Sequence, residues 1–357
     1  MEGIIISGIQ QLGIGVTNVA EAWKWYRKYL GMDIKLFEES ATASIMLPYT
    51  GGKPQERHAV LALNLNGGGG FEIWQYTERT PKPPHFKLLL GDLGIFAAKI
   101  KTRDAHKTHK WFLEEKLNVS SLAVDPGGRN FFFVTDPFNN IFQIIESKNW
   151  FGKRLKHTGS VYGVVIGVTN VENSLKVYSD ILGYDEKVFD KKGIFDDLSY
   201  LNGGNAQFRR VLVKHSQPRV GAFGRLLGDS EIELIQAEER VPRKIYEDRF
   251  WGDLGFIHLC YDINGMEEMK AACAARGFAF TVDSSAQHDG QSFDMGEAAG
   301  HFSYIEDPDG TLIEFVETHK MPIMKKLGIY LNLRKRNPAK NLPKWMLQSL
   351  KFSRVKD

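Results

Sequence analysis

Apolar and polar positions follow one recurring pattern in this chain. An alternating stretch rich in β-branched residues ("GIIISGIQQLGIGV") leads into a polar Thr-Asn pair able to cap a helix. An amphipathic run follows, with Val19, Trp23, Tyr26 and Leu30 on one face, and it ends at a Leu-Gly pair of the kind that closes helices. Strand-like runs come next, "HAVLALNLN" and "FEIWQYTE". The pattern predicts one strand, one helix and then about three strands.

The unit is repeated. Gly13 to Asp33 (GIGVTNVAEAWKWYRKYLGMD) aligns without a gap on Val165 to Asp185 (VIGVTNVENSLKVYSDILGYD), and strand-like runs "FRRVLVKHS" and "EIELIQAEE" follow the second copy. A second pair interleaves with the first: "GDLGIFAAKI" at Gly91 recurs as "GDLGFIHLCYDI" at Gly252, and "NFFFVTDPFNNIFQIIE" at Asn130 recurs as "HFSYIEDPDGTLIEFVE" at His301. Helical stretches, "AHKTHKWFLEEKL" and "MEEMKAACAARG", lie between. The chain therefore reads as four βαβββ modules beginning near Ile9, Gly91, Ser160 and Gly252.

Composition narrows the class. At 357 residues with 43% hydrophobic and 25% charged positions, the chain is in the ordinary globular range. No run approaches the ~18 uninterrupted apolar residues of a membrane span, and the start lacks the basic and small-residue features of a secretory signal. Two cysteines, Cys260 and Cys273, exclude a disulfide scaffold and a cysteine-based zinc cluster, so any metal must be held by His, Glu or Asp. These features point to a cytoplasmic protein. The net charge of +3 hides an asymmetry: Met321 to Asp357 carries +9, which leaves −6 for the rest. The segment "LPKWMLQSLKF" intersperses Trp345, Leu347, Leu350 and Phe352 among the charges, as a helix docking on the protein's own acidic body would. Its aromatic residues are too few for a nucleic-acid stacking platform, and "NGGGGF" precedes a strand, where it predicts a tight turn rather than a phosphate cradle.

Four such modules, the closing "DPDGTLIEFVE" and a histidine on an opening strand resemble the vicinal oxygen chelate superfamily, home of glyoxalase I, methylmalonyl-CoA epimerase, extradiol dioxygenases and bleomycin-resistance proteins. The resemblance covers roughly residues 8 to 320. It implies an α+β fold in which four βαβββ modules pair into two half-open mixed β-barrels with flanking helices, plus a basic tail. Packing of consecutive units favours an N-terminal domain over 1–150, a C-terminal domain over 151–320 and an extension over 321–357.

In that family each module offers two ligand positions, one on its first strand and one on its last, both facing into a cup. They fall here on Gln11 and Glu72, Ala97 and Gln143, Gly163 and Glu233, and His258 and Glu314. Pairing of neighbours leaves the N-terminal half without a useful set and gives the C-terminal half Glu233, His258 and Glu314, with a gap at Gly163. Pairing of the first module with the fourth gives Gln11, Glu72, His258 and Glu314, the residue pattern of glyoxalase I. Either set suits one divalent ion (Zn, Ni, Co, Mn or Fe). A lone histidine on an apolar strand is otherwise an ordinary core residue, and a glutamate in "LIEFVE" could face solvent.

The resemblance implies a lyase or isomerase of the glyoxalase and epimerase kind, which abstracts a proton next to a carbonyl on a small vicinal-oxygen substrate with Glu314 or Glu233 as base. Alternatives are an extradiol-type ring-cleaving dioxygenase, weakened by the missing histidine at Gly163, and a metal-free small-molecule binder. His288, His301 and Tyr304 are secondary candidates for orienting substrate or relaying a proton. Expected partners are a small molecule and a second copy in a homodimer, with neither nucleic acid nor membrane.

Overall fold

The computed structural model describes residues 3–153, 157–287, 293–294, 299–324 and 329–356. The first module comprises β1 (Ile5–Gly15), α1 (Val19–Leu30), β2 (Ile34–Ala43), β3 (Gln55–Leu63) and β4 (Gly70–Tyr76). The second comprises β5 (Gly94–Thr102), α2 (Ala105–Glu114), the short β6 (Asn118–Val119) and β7 (Ala123–Val124), β8 (Asn130–Thr135) and β9 (Ile141–Glu146). In the third, β10 (Thr158–Gly167), α3 (Val171–Tyr178), β11 (Glu186–Gly193) and β12 (Phe208–Lys214) precede one helical turn, α4 (Gly224–Leu227), and β13 (Glu231–Ala237). The fourth contains β14 (Gly255–Asn264), α5 (Met266–Ala274), β15 (Val282–Asp283), α6 (Ser284–Gln287), β16 (Phe293–Asp294), β17 (Ala299–Glu306) and β18 (Leu312–Met324). β19 (Ile329–Asn332) and α7 (Lys344–Gln348) belong to the tail.

The repeated Thr-Asn pair does cap helices. Asn18 accepts from the backbone N–H of Glu21 at the start of α1, and Asn170 accepts from that of Asn173 at the start of α3, satisfying a donor that a helix N-terminus leaves open. Both helices bury one face, Ala22, Trp23, Tyr26 and Leu30 in α1 and Val171, Ser174, Val177 and Tyr178 in α3.

Two curled mixed sheets result, and their strand order corrects the expected pairing of neighbours. One sheet runs β15-β17-β18-β14-β1-β4-β3-β2, joining the fourth module to the first; the other runs β11-β12-β13-β10-β5-β9-β8-β6, joining the third to the second. At each junction the opening strands of two modules lie antiparallel, β1 against β14 and β10 against β5. The domains expected over 1–150 and 151–320 are thus not closed barrels: each contributes one module to each sheet. Sequential packing survives only where the connection is shortest, at 147–157 between the second and third modules; the links at 77–93 and 238–254 are longer.

Consecutive modules still touch, through helices instead of sheet edges. The Tyr26 hydroxyl on α1 donates to Asp136 Oδ2 in the second module at 2.6 Å, and Tyr178 on α3 donates to Asp307 Oδ2 in the fourth at 2.9 Å. The tyrosine that the two repeats share therefore makes the same contact twice, to the aspartate of each "TDP" or "EDP" turn. A large apolar core between the sheets surrounds these pairs, including Ile14, Val60, Phe142, Val164, Ile232 and Phe315.

The tail packs back along the first sheet. Val355 N–H donates to Asp33 O at 2.8 Å, Arg354 pairs with Asp33, and Leu342 and Leu347 are buried with Ile34, Leu226 and Phe151. Self-docking was expected of Trp345, Leu347, Leu350 and Phe352 together. Leu347 is buried and Leu350 packs against this cluster, whereas Trp345 and Phe352 are 65% and 83% exposed. No helix among the described residues is long and apolar enough to cross a membrane.

Candidate metal centre

At the seam between the first and fourth modules, four polar side chains meet inside a largely apolar cup. β1 supplies Gln11, β4 supplies Glu72, β14 supplies His258 and β18 supplies Glu314; His258 is fully buried and the other three are at most 9% exposed. His258 Nε2 lies 3.1 Å from Glu314 Oε2 and 3.5 Å from Glu72 Oε2, and Gln11 Nε2 lies 3.5 Å from that Glu314 oxygen and 3.4 Å from that of Glu72. These spacings match the edge of a coordination polyhedron, since bonds of about 2.1 Å set adjacent donor atoms roughly 3–3.5 Å apart. Rotating the Gln11 amide by half a turn would present its oxygen in place of its nitrogen.

Charge and hydrogen bonding agree with that geometry. Burial raises the Glu72 pKa, attraction to His258 lowers it, repulsion from Glu314 raises it again, and the net result is about 7. Burial works against protonation of His258, but the two carboxylates outweigh it and push its pKa up. The approach to Glu314 is out of hydrogen-bond alignment, so both His258 ring nitrogens are buried without a hydrogen bond. Buried polar atoms left in this condition are costly. A cation among these donors would use the imidazole and neutralise the carboxylates, so the residues present fit a divalent ion.

The backbone makes room for the imidazole at one point. A Cβ on Gly13 would lie 2.5 Å from His258 Cε1 and 2.7 Å from Nδ1. In the second copy of the repeat the equivalent position is Val165, buried in the other sheet's apolar cluster. The copies thus differ where one cup admits a histidine ring.

That other cup closes differently. Ala97, Gln143, Gly163 and Glu233 lie on strands of that sheet, but Lys99 on β5 places its ammonium 2.7 Å from Glu231 Oε1 and 2.5 Å from Glu233 Oε2, and Arg210 on β12 pairs with Glu233 and Asp197. Burial would raise the Glu233 pKa, yet Arg210 and Lys99 bring it down to about 2. Phe131, Phe133, Val165, Leu198 and Leu201 pack the remaining space. Glu233, expected beside His258 and Glu314, therefore belongs to the opposite sheet and is held by two fixed cations. Strand pairing is the reason, because it delivers Glu72 to His258 instead.

Of the secondary candidates, Tyr304 lies in the first cup. It stands opposite Glu314 in the β17–β18 register, with its ring centroid 5.6 Å from that of His258. His301 has the opposite parity on β17 and is on the far face of the sheet. His288 lies outside the described residues. Sequence reasoning missed Trp251, which stacks on His258 (centroids 6.0 Å apart, planes at 12°), and Trp74, which meets Trp251 edge-on. Trp74 was findable, since it follows Glu72 by two residues and so shares its face. Trp251 sits in a connecting segment with no periodic signal.

The cup opens into a cavity of about 350 Å³. Glu72, Glu314 and Tyr304 line it at the cup, Lys35, Glu39 and Arg57 also line it, and Phe37, Leu227 and Leu350 contribute to a mostly apolar remainder. Leu227 comes from α4 of the third module and Leu350 from the tail, so both the other sheet and the C-terminal extension help to wall this cup.

Fold and site together define a class. The family model for the Glyoxalase/Bleomycin resistance protein/Dioxygenase superfamily matches residues 8–144 and again 154–315, and the chain belongs to that superfamily. Glyoxalase I from Zea mays superposes with a TM-score of 0.53 at 13% identity, covering 87% of this chain and 92% of its own. A candidate dioxygenase from Bacillus subtilis subsp. subtilis superposes with a TM-score of 0.54 at 12% identity, covering 88% and 86%. At these identities the likeness is one of fold. No curated protein matches the chain.

Proposed function

We propose that Gln11, Glu72, His258 and Glu314 hold one divalent metal ion and that the protein catalyses proton transfer next to a carbonyl on a small substrate with two vicinal oxygens, as a lyase or isomerase of the glyoxalase and epimerase kind. The observation that carries this reading is the convergence of those four side chains at one end of a half-open cavity that Gln11, Glu72 and Glu314 line. When bound, the ion supplies Lewis-acid stabilisation of developing negative charge on substrate oxygen. The protein's own groups do the rest. Glu314 and Glu72 both line the cavity, so a carboxylate oxygen turned toward it is placed to take a proton from a substrate carbon held there. The Tyr304 hydroxyl, whose pKa is pushed well up by burial and by the neighbouring carboxylates, stays protonated and can donate to a substrate oxygen. The apolar remainder of the cavity favours a substrate whose oxygenated end is joined to an aliphatic or aromatic body. His258 is fully buried and does not line the cavity.

Ring cleavage is the weaker reading, since among the described residues the cup brings one imidazole and not the two of a two-histidine, one-carboxylate iron site. The test is metal content by mass spectrometry on untagged protein, followed by turnover of 2-oxoaldehyde adducts and acyl-CoA esters. Near one equivalent lost from the cup in His258→Ala and Glu72→Ala but kept in Glu233→Ala is expected. Loss in Glu233→Ala, or a metal-loaded protein inert toward every proton-transfer substrate while binding small ligands tightly, would replace this reading with a different site or a binding protein.

A further inference from the structure

A second group of metal-ligating side chains lies on the opposite face of the same hairpin. Side chains of a strand alternate between faces, so β18 sends Glu314 into the cup and Glu317 and His319 away from it. On β17, His301 is the direct cross-strand partner of Glu317. The result is two imidazoles and one carboxylate on neighbouring positions of two paired strands, with the sheet between them and the cup. We infer that His301, Glu317 and His319 form a second metal site, selective for a zinc-class transition ion and separate from the site in the cup.

Three observations support it. The potential ligand atoms of the three residues all lie within 4.8 Å of one another; His319 Nε2 and Glu317 Oε2 are 3.2 Å apart, and the two histidine rings have centroids 4.6 Å apart. Adjacent donors around an ion bonded at about 2.1 Å stand roughly 3–3.5 Å apart, so one pair already has that separation and small rotations of the side chains complete the set. His301 and His319 are 7% and 4% exposed, so an ion held there meets little competing water. Finally, Glu317 Oε1 accepts the Gly265 N–H at 2.8 Å. One oxygen is thereby fixed at the start of α5 while the other faces the imidazoles, the outer-sphere arrangement that orients carboxylate ligands in metal sites. Nitrogen and oxygen donors of this kind suit Zn, Fe, Mn or Co over Ca or Mg. With three protein ligands, a fourth position remains for water. Such an ion would tie β17, β18 and the first turn of α5 together, behind the strands that carry Tyr304 and Glu314.

The inference does not depend on the reading of the cup, and metal counting separates the two. Metal-stripped full-length protein is titrated with Co²⁺, followed by visible absorption and by bound cobalt after gel filtration. Wild type is expected to bind two equivalents, His258→Ala to keep only the outer one, and His301→Ala and His319→Ala to keep only the inner one. The more conservative His319→Gln should weaken the outer site at least tenfold, and thermal melting of the metal-free variants establishes that each is folded. One equivalent in wild type that is untouched by His301→Ala, His319→Ala and His319→Gln would overturn the inference, as would no binding in a folded His258→Ala protein.

Discussion

Gly13 offers the sharpest test of how the cup is built. Replacing it with alanine places a methyl group 2.5 Å from His258 Cε1, 2.7 Å from Nδ1 and 3.0 Å from Nε2, where ordinary contacts need 3.4–4 Å. The ring must retreat by about 1 Å, yet Trp251 stacks on it and Tyr304 abuts it edge-on. Close-packed interiors yield to such insertions at about 1–3 kcal/mol. Displacing an oriented ligand weakens metal binding by about 10–100-fold, or about 1.4–2.8 kcal/mol. The expected outcome for Gly13→Ala is a fall in urea stability within the first range and in metal affinity within the second, the latter read by competition with a chromophoric chelator. Gly13→Val, which copies the repeat's own residue at 165, should abolish binding by the cup. Val165→Ala serves as control and should leave affinity unchanged. Wild-type metal affinity in Gly13→Ala would refute the claim that glycine is there to admit the imidazole.

Two further predictions concern buried charge. Lys99→Met should destabilise the protein by about 3–5 kcal/mol in denaturant melts, at the lower end because Arg129 and Arg210 still face Glu231 and Glu233; a loss under ~1 kcal/mol would show that the ammonium is not what compensates those carboxylates. Burial pushes the Asp262 carboxyl up to about 7, against a hydrogen bond with Ser7 that lowers it, and Glu317 adds to the rise. A folded pKa above the unfolded one stabilises at low pH, and this contribution is lost as pH rises from about 4 through 7. Asp262→Asn should therefore match wild type most nearly at about pH 3.5, below the unfolded pKa, and exceed it in melting temperature at pH 8, and equal melting temperatures at both pH values would argue against a buried, pH-dependent carboxylate.

Much of this architecture was legible before any coordinates. Module number, helix caps and the inward face of each strand follow from local periodicity and from two interleaved repeats, because strand alternation and helix amphipathicity are set within a few residues. Gln11, Glu72, His258 and Glu314 could all be named as candidates once the resemblance to the superfamily supplied two ligand positions per module. Which of them meet could not be read in the same way. Pairing of β1 with β14 closes a chain segment of some 250 residues, a choice decided by total burial, by connections such as 77–93 that span between sheets, and by the Tyr26–Asp136 and Tyr178–Asp307 contacts between consecutive modules. The same long-range pairing delivers Glu72 to His258 and leaves Glu233 to Lys99 and Arg210, whose roles no short-range pattern marks. Periodicity and repeats thus specify the modules, whereas long-range strand pairing gathers Gln11, Glu72, His258 and Glu314 in one cup and sets Glu233 against Lys99 and Arg210 in the other, since charge compensation in a buried site depends on whichever strand lies beside it.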